Sequence, residues 1–222
     1  MIDFEPKYIT FDCYGTLTNF RIGELTRELY GNRLQGADLE RFVAFFSAYR
    51  LDEALDAWKP FRAVLINAVR RACKRMNIEF SEAEAEKFYL AVPTWGPHPD
   101  VPEGLSRLAT KYKLVILSNA PDEHIQSNVE KLGAPFHRVF TAQQAQSYKP
   151  HMRAFEYMFD QLNCNPQDVL HVSSSLRYDL MTAHDIGIKH KAFVQRGHEP
   201  GTPYYEYYEV DSIGDLATLL GL

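Results

Sequence analysis

The sequence predicts an α/β fold, a Rossmann-like parallel sheet core with an inserted helical cap. Three observations predict it. Over the second half of the chain, short β-forming runs alternate with helical stretches. From about Leu25 to Tyr89 the pattern is helical, with no strand-like run. Polar residues stand directly after several of the predicted strands. Alternation of strand and helix builds a parallel sheet with helices on both faces.

The first strand is Tyr8-Ile9-Thr10-Phe11, a β-forming run that ends at Asp12 and turns at Gly15. In the helical block, Phe42, Phe45, Phe46 and Tyr49 recur at helical spacing, as do Phe61, Leu65, Ala68 and Ala72. Asp38 is placed to cap the first of these helices, and Ser81 with Glu84 resembles a capping box for the last. The breaker cluster Trp95-Gly96-Pro97-His98-Pro99 returns the chain to the core. Strands follow at 114–117, 139–141, 169–172 and 191–194, and helices at 121–132, 151–163, 178–186 and 212–220. The boundaries are therefore 1–19 and 96–222 for the core and 20–95 for the cap.

Composition narrows the function. The 222 residues carry 45% hydrophobic and 24% charged side chains, as in an ordinary soluble protein. A net charge of −5 points away from nucleic acid, which favours a basic face. No apolar run approaches the roughly 20 residues of a membrane span, and the N-terminus lacks the features of a signal peptide. Cys13, Cys73 and Cys164 are odd in number and far apart, so free thiols in a reducing cytoplasm are expected. None has a Cys or His at metal-ligand spacing, which points away from zinc.

In an open parallel sheet, ligands bind beyond the carboxyl ends of the strands. Asp12 to Thr16 follow the first strand, and Ser118-Asn119 the second. Lys149 lies in the loop before the 151–163 helix. Ser173-Ser174-Ser175, with Asp179 beyond, follows the strand at 169–172. Each alone has a plainer reading as a cap, turn or surface residue. Their conjunction, in order, brings two carboxylates, a hydroxyl and an ammonium to one cleft. A lysine beside a carboxylate lowers its pKa, and an ionised, positioned carboxylate is a competent nucleophile.

Asp12-x-Tyr-Gly-Thr-Leu, Ser118-Asn119, Lys149-Pro150 and the serine-rich stretch ending at Asp179 resemble the four motifs of the haloacid dehalogenase superfamily. The likeness is greatest to the type II L-2-haloacid dehalogenases and their dehalogenase-like relatives. The resemblance implies that Asp12 attacks the carbon bearing the halogen of a short 2-haloalkanoic acid. Water then hydrolyses the resulting ester to a 2-hydroxy acid, without a metal or other cofactor. It further implies that Lys149 keeps Asp12 ionised and that Ser118 hydrogen-bonds Asp12 or the substrate carboxylate. Asp179 anchors Lys149 or orients the water. Thr16, Tyr14, Asn119, Ser174 and Ser175 line the anion site, and Arg50, after Tyr49, is the cap arginine. Relatives often dimerise, so a homodimer is one expectation.

Phosphatases of the superfamily carry an acid at the position of Tyr14, to protonate a leaving alkoxide, and another at Ser174, to hold Mg²⁺. The loss of both points to halide over phosphate and away from a metal. The alternatives are a phosphatase of a small phosphorylated metabolite, a hydrolase of a strained-ring acid, and a binding protein with little turnover. In two places the sequence departs from the dehalogenases. Phe155 replaces a tyrosine six residues after the lysine. The serine-rich stretch lacks their asparagine and reaches the acid one residue later. His171 reads as a satisfied core histidine, with a base facing the site as its alternative. Cys13 reads as packing, as do most of Phe20, Tyr49, Trp58, Phe61 and Tyr178, which otherwise wall a small apolar pocket under the cap. The run Tyr204-Tyr205-Glu206-Tyr207-Tyr208 has no physical account in the sequence.

Overall fold

The computed structural model describes residues 4–222. They fall into two compact units, one of Met1–Asn19 with Gly96–Leu222 and one of Phe20–Trp95.

The larger unit holds six parallel strands: β1 Tyr8–Phe11, β2 Lys113–Ser118, β3 Arg138–Thr141, β4 Val169–Ser173, β5 His190–Val194 and β6 Tyr208–Val210. Their spatial order is β3-β2-β1-β4-β5-β6. The chain leaves β1 towards β2 on one side and returns from β3 to β4 on the other. The carboxyl ends of β1 and β4 therefore flank the point where the winding reverses, the usual place for a ligand in such sheets. The register sets Phe11 between Ile116 and Val172.

Alternation along the strands supplies two cores. Ile9, Phe11, Ile116 and Val172 point to one side. There they meet Leu105 and Leu108 of one helix, Val101–Ala109, and Ile213 and Leu216 of another, Ile213–Leu219. Gly104 allows these two helices to touch, because a Cβ there would stand 2.6 Å from the Ile213 carbonyl carbon. Tyr8, Val115, Leu117 and Val169 point to the other side, against Phe155, Met158 and Leu162 of the helix Met152–Leu162.

The sixth strand was not expected. It is three residues long and lies at the sheet edge, too short to show a period. The tyrosine run divides around it. Tyr204 and Tyr205 form a 3₁₀ turn beside His184, Tyr207 packs on Phe193, and Tyr208 opens β6. The expected helix at 178–186 is also different. Leu176–Leu180 forms a π turn, in which Leu180 N–H donates to the Ser175 carbonyl at 3.2 Å, and only Met181–Asp185 is α-helical. A π turn takes up one residue more than an α turn.

The smaller unit, among its described residues, is helical: α1 Ile22–Tyr30, α2 Gly36–Leu55, α3 Phe61–Met76, α4 Glu82–Ala91 and a 3₁₀ turn Val92–Thr94. Of the periodic residues, Phe42, Phe46, Leu65, Ala68 and Ala72 are buried, and Phe46 meets Phe88 at 4.8 Å between ring centroids. Phe45 and Tyr49 stack together, with the guanidinium of Arg71 over Tyr49 at 4.3 Å. Asp38 is not the cap of α2. The helix starts at Gly36, and Asp38 pairs with Arg41 in the first turn. Ser81 does cap α4, accepting from Glu84 N–H at 3.3 Å, but the Glu84 carboxylate turns to Arg33.

Candidate active site

The end of β1 is fixed before its side chains matter. Asp12 N–H donates to the Val172 carbonyl at 3.0 Å, which holds Asp12 against β4. The chain then closes a tight loop. Leu17 and Thr18 N–H both return to the Cys13 carbonyl, and Gly15 N–H donates to the Thr18 carbonyl. Gly15 has φ +98°, which explains the glycine. The loop delivers Thr16 Oγ1 to Asp12 Oδ2 at 2.7 Å. The same oxygen accepts from Ser174 N–H at 2.9 Å and lies 3.2 Å from Ser174 Oγ, which links the loops after β1 and β4.

Lys149 is the centre of the site. It is 1% exposed, and its three ammonium protons have three acceptors: Asp12 Oδ1 at 2.8 Å, Asp179 Oδ1 at 2.7 Å and the Leu117 carbonyl at 2.8 Å. Asn119 sets its place through the main chain. Asn119 Nδ2 donates to the Lys149 carbonyl at 2.8 Å, and Asn119 Oδ1 accepts from Lys149 N–H at 2.7 Å. Both polar ends of Asn119 thus hold the Lys149 main chain in place. Asp179 is fully buried, and its Oδ1 accepts a second bond from His171 Nε2 at 3.0 Å. Among the described residues, two buried polar atoms beside Lys149 have no hydrogen-bond partner, Ser118 Oγ and Asp179 Oδ2. Buried polar atoms are nearly always satisfied, so this hydroxyl and this oxygen are the free polar groups the site offers to a ligand.

The charges do not balance within Asp12, Lys149 and Asp179, where two carboxylates share one ammonium. The Lys149 pKa is nevertheless raised. Burial opposes its charge, but the two carboxylates outweigh burial. For Asp179, burial is outweighed by the Lys149 charge and the His171 hydrogen bond, so its pKa is lowered. Asp12 differs from expectation. Lys149 and Thr16 do pull its pKa down, but burial, aided by the Asp179 charge, wins and raises it above the ordinary carboxylate value. Burial pushes the Cys13 thiol up to about 12, and its Sγ lies 3.5 Å from Thr18 Oγ1. It is a packing residue, as its place on the strand suggested.

The structure therefore brings together Asp12, Thr16, Lys149, Ser174 and Asp179, with Ser118 beside the Leu117 carbonyl. Three other expected residues have contacts of their own. The Tyr14 hydroxyl donates to Asn128 Oδ1 at 3.1 Å. Ser175 caps the π turn, accepting from Tyr178 N–H at 3.2 Å and donating to Glu199 at 3.0 Å. Arg50 belongs to the helical unit, where its guanidinium lies over the rings of Phe20 and Phe46 at 5.6 and 5.3 Å.

Sequence reasoning missed several supports. Arg196 donates to the Thr16 carbonyl at 3.2 Å while its two terminal nitrogens hold Asp100 at 2.8 and 3.0 Å. His98 Nε2 lies 3.1 Å from the Gly15 carbonyl. The Glu199 carboxylate accepts from Leu176 and Arg177 N–H. These partners are separated by 22 to 180 residues, and no local pattern marks them.

The family model for haloacid dehalogenase-like hydrolases matches residues 6–187, most of the chain and all of the site motifs. The chain belongs to the haloacid dehalogenase-like hydrolases. Among relatives of this hydrolase, (S)-2-haloacid dehalogenase 4A of Burkholderia cepacia is 25% identical over 222 residues, covering 95% of this chain and 93% of that one. Haloacetate dehalogenase H-2 of Moraxella sp. strain B is 26% identical over 176 residues, covering 75% and 76%. The solved L-2-haloacid dehalogenase of Xanthobacter autotrophicus superposes with a TM-score of 0.81 at 23% identity, covering 98% of this chain and 99% of that one, a likeness of fold. Among the described residues of this hydrolase, no helix is long and apolar enough to cross a membrane.

Proposed function

We propose that this hydrolase removes halide from C2 of a short 2-haloalkanoic acid, through an ester on Asp12 and without a metal. The observation that carries the reading is the buried Asp12 carboxylate, with Lys149 on one oxygen and Thr16 on the other. Such a group is fixed in direction and stripped of water, which favours attack on carbon. An Asp12 oxygen bonds to C2 as the carbon–halogen bond breaks, and the bonding pair leaves with halide. Water then adds to the Asp12 carboxyl carbon and gives its proton to a nearby base. Asp179 Oδ2 is the carboxylate oxygen without a partner, and takes that role in this reading. The bond between the Asp12 carboxyl carbon and the oxygen on C2 then breaks. That oxygen takes the proton back from the base to form the 2-hydroxy acid, and the Asp12 carboxyl loses its proton to solvent and is restored. Ser118 Oγ is left to receive the substrate carboxylate. Phe20–Trp95 serves as the cap, and Arg50 as its cation for the anionic substrate.

Phosphoryl transfer fits the donor set less well. A hard dication favours several oxygen ligands, usually including carboxylates. Here Asp12 and Asp179 share the Lys149 ammonium, and Ser174 stands where a further acid would be needed. A leaving alkoxide also requires an acid, and the Tyr14 hydroxyl is held by Asn128.

One assay panel with EDTA present tests the reading. It sets halide release from chloroacetate, fluoroacetate and both 2-chloropropionate enantiomers against phosphate release from generic phosphate esters. Halide release that survives EDTA is expected. A strict magnesium requirement with phosphate as product would replace this reading with a phosphatase.

A further inference from the structure

His171 has no place in the chemistry above, yet it is bonded to the centre of the site. It lies in β4 on the face that also carries Val169, Val115 and Leu117. Its exposure is zero. Nδ1 lies 2.9 Å from Thr10 Oγ1, its register partner on β1, and Nε2 lies 3.0 Å from Asp179 Oδ1. The Phe155 ring packs against it edge-on, with centroids 5.2 Å apart. Both nitrogens and the ring edge are thus fixed. A carboxylate only accepts hydrogen bonds, so Nε2 carries the proton. On the other side of β4 the register partner is Lys191, whose ammonium donates away to the Ile188 and Lys189 carbonyls.

Asp179 makes both its bonds through Oδ1, one from Lys149 and one from His171. Among the described residues, the histidine is therefore the second hydrogen-bond donor that fixes how this carboxylate is turned. Lys149 in turn has no spare proton: one goes to Asp179, one to Leu117 and one to Asp12. If Asp179 rotates, the ammonium follows, and its bond to Asp12 changes.

We propose that His171 is a positioning residue: its Nε2–H fixes Asp179, which seats the Lys149 ammonium against the Asp12 nucleophile. The kinetic part rests on the dehalogenase reading, and the electrostatic part stands without it. A histidine that merely filled space would be replaced by phenylalanine at little cost. A positioning histidine would not be, and glutamine, which retains an N–H donor, would restore much of its effect.

The test compares wild type with His171→Phe, His171→Gln and Thr10→Val, which releases the far side of the ring. Two quantities are measured: kcat and KM for halide release from 2-chloropropionate, and the titration of the Asp179 carboxyl by ¹³C NMR in the substrate-free protein. Loss of a donor disfavours the ionised carboxylate, so in His171→Phe the Asp179 titration should move to higher pH. Its kcat should fall about tenfold or more with KM little changed, the scale of one charge-assisted hydrogen bond acting through a second residue. His171→Gln should return both quantities towards wild type. Thr10→Val should shift them in the same direction by a smaller factor, and it carries the test if His171→Phe does not fold. A folded His171→Phe with unchanged kcat and an unmoved Asp179 titration overturns the proposal, as does a Gln variant no better than Phe. If wild type releases no halide, the dehalogenase reading fails, and the carboxyl titration alone decides on His171.

Discussion

Two ionic clusters, one in each unit, use the same ingredients to opposite ends. In the helical unit, Glu53 accepts from Lys59 at 2.8 Å, Arg71 at 2.7 Å and Asn67 at 3.1 Å, tying α2 to α3. Burial would raise its pKa, but the three donors outweigh burial and lower it. At the end of β1 every charged partner is buried. Two carboxylates share the single Lys149 ammonium, and burial leaves the Asp12 pKa raised. Glu53 receives two cations and an amide, and this holds a structure together; the cations' other carboxylate partners, Asp52 and Asp56, stand in solvent. Two carboxylates with one cation leave a charge that the fold stabilises poorly, which suits the proposed attack on carbon. The difference lies in the number of donors and their burial, not in the type of residue.

The comparison breaks most sharply at Asp12. Asp12→Asn should abolish nearly all halide release while leaving Tm at neutral pH unchanged or higher, because it removes the surplus buried charge. Single turnover in oxygen-18 water separates the roles of Asp12. A nucleophile takes the label into its own side chain, whereas a general base sends it directly to product, which would refute the ester. Lys149→Met should be the most damaging to stability, by about 3–5 kcal/mol in denaturant unfolding, because two carboxylates are left buried without their cation. An Asp12→Asn protein less stable than Lys149→Met would contradict this account.

In the other cluster, Glu53→Gln should cost about 1–3 kcal/mol and leave kcat within error, since only the join between α2 and α3 is weakened. The smallest effect is on pH. The protonated carboxyl is not a nucleophile, so activity falls as pH drops through the raised Asp12 value. The acid limb of kcat should therefore lie above 3.8, the ordinary aspartate value. For Glu53 the sign is opposite. Its lowered pKa contributes stability that is present above the ordinary value and lost as pH falls through the lowered one. An acid limb at or below 3.8 would mean that Lys149, and not burial, governs Asp12.

The residues that lie near their own strand ends were legible in the sequence. Asp12, Thr16, Ser118, Lys149 and Asp179 each follow a β-forming run or open a helix, and topology alone gathers them. The chain order of the first five strands was legible for the same reason. What was not legible depends on long-range geometry. Asn119 and Ser175 are polar residues in motif positions, and nothing local shows that their hydrogen bonds go to the Lys149 main chain and to Glu199. His171 was weighed as either a satisfied core residue or a group of the site. It is both, because its satisfying partner is Asp179. The chain reaches Asp179 through a π turn, a device invisible to a 3.6-residue period.

The Asn119 bracket around Lys149 has a consequence for descent. It grips only main-chain atoms, so the socket at position 149 is built independently of the side chain that fills it. A lineage can exchange the occupant of such a socket without rebuilding the loop, and the loop can survive after the original reaction has been abandoned. Descendants of one ancestor would then keep the same frame while their chemistry diverges.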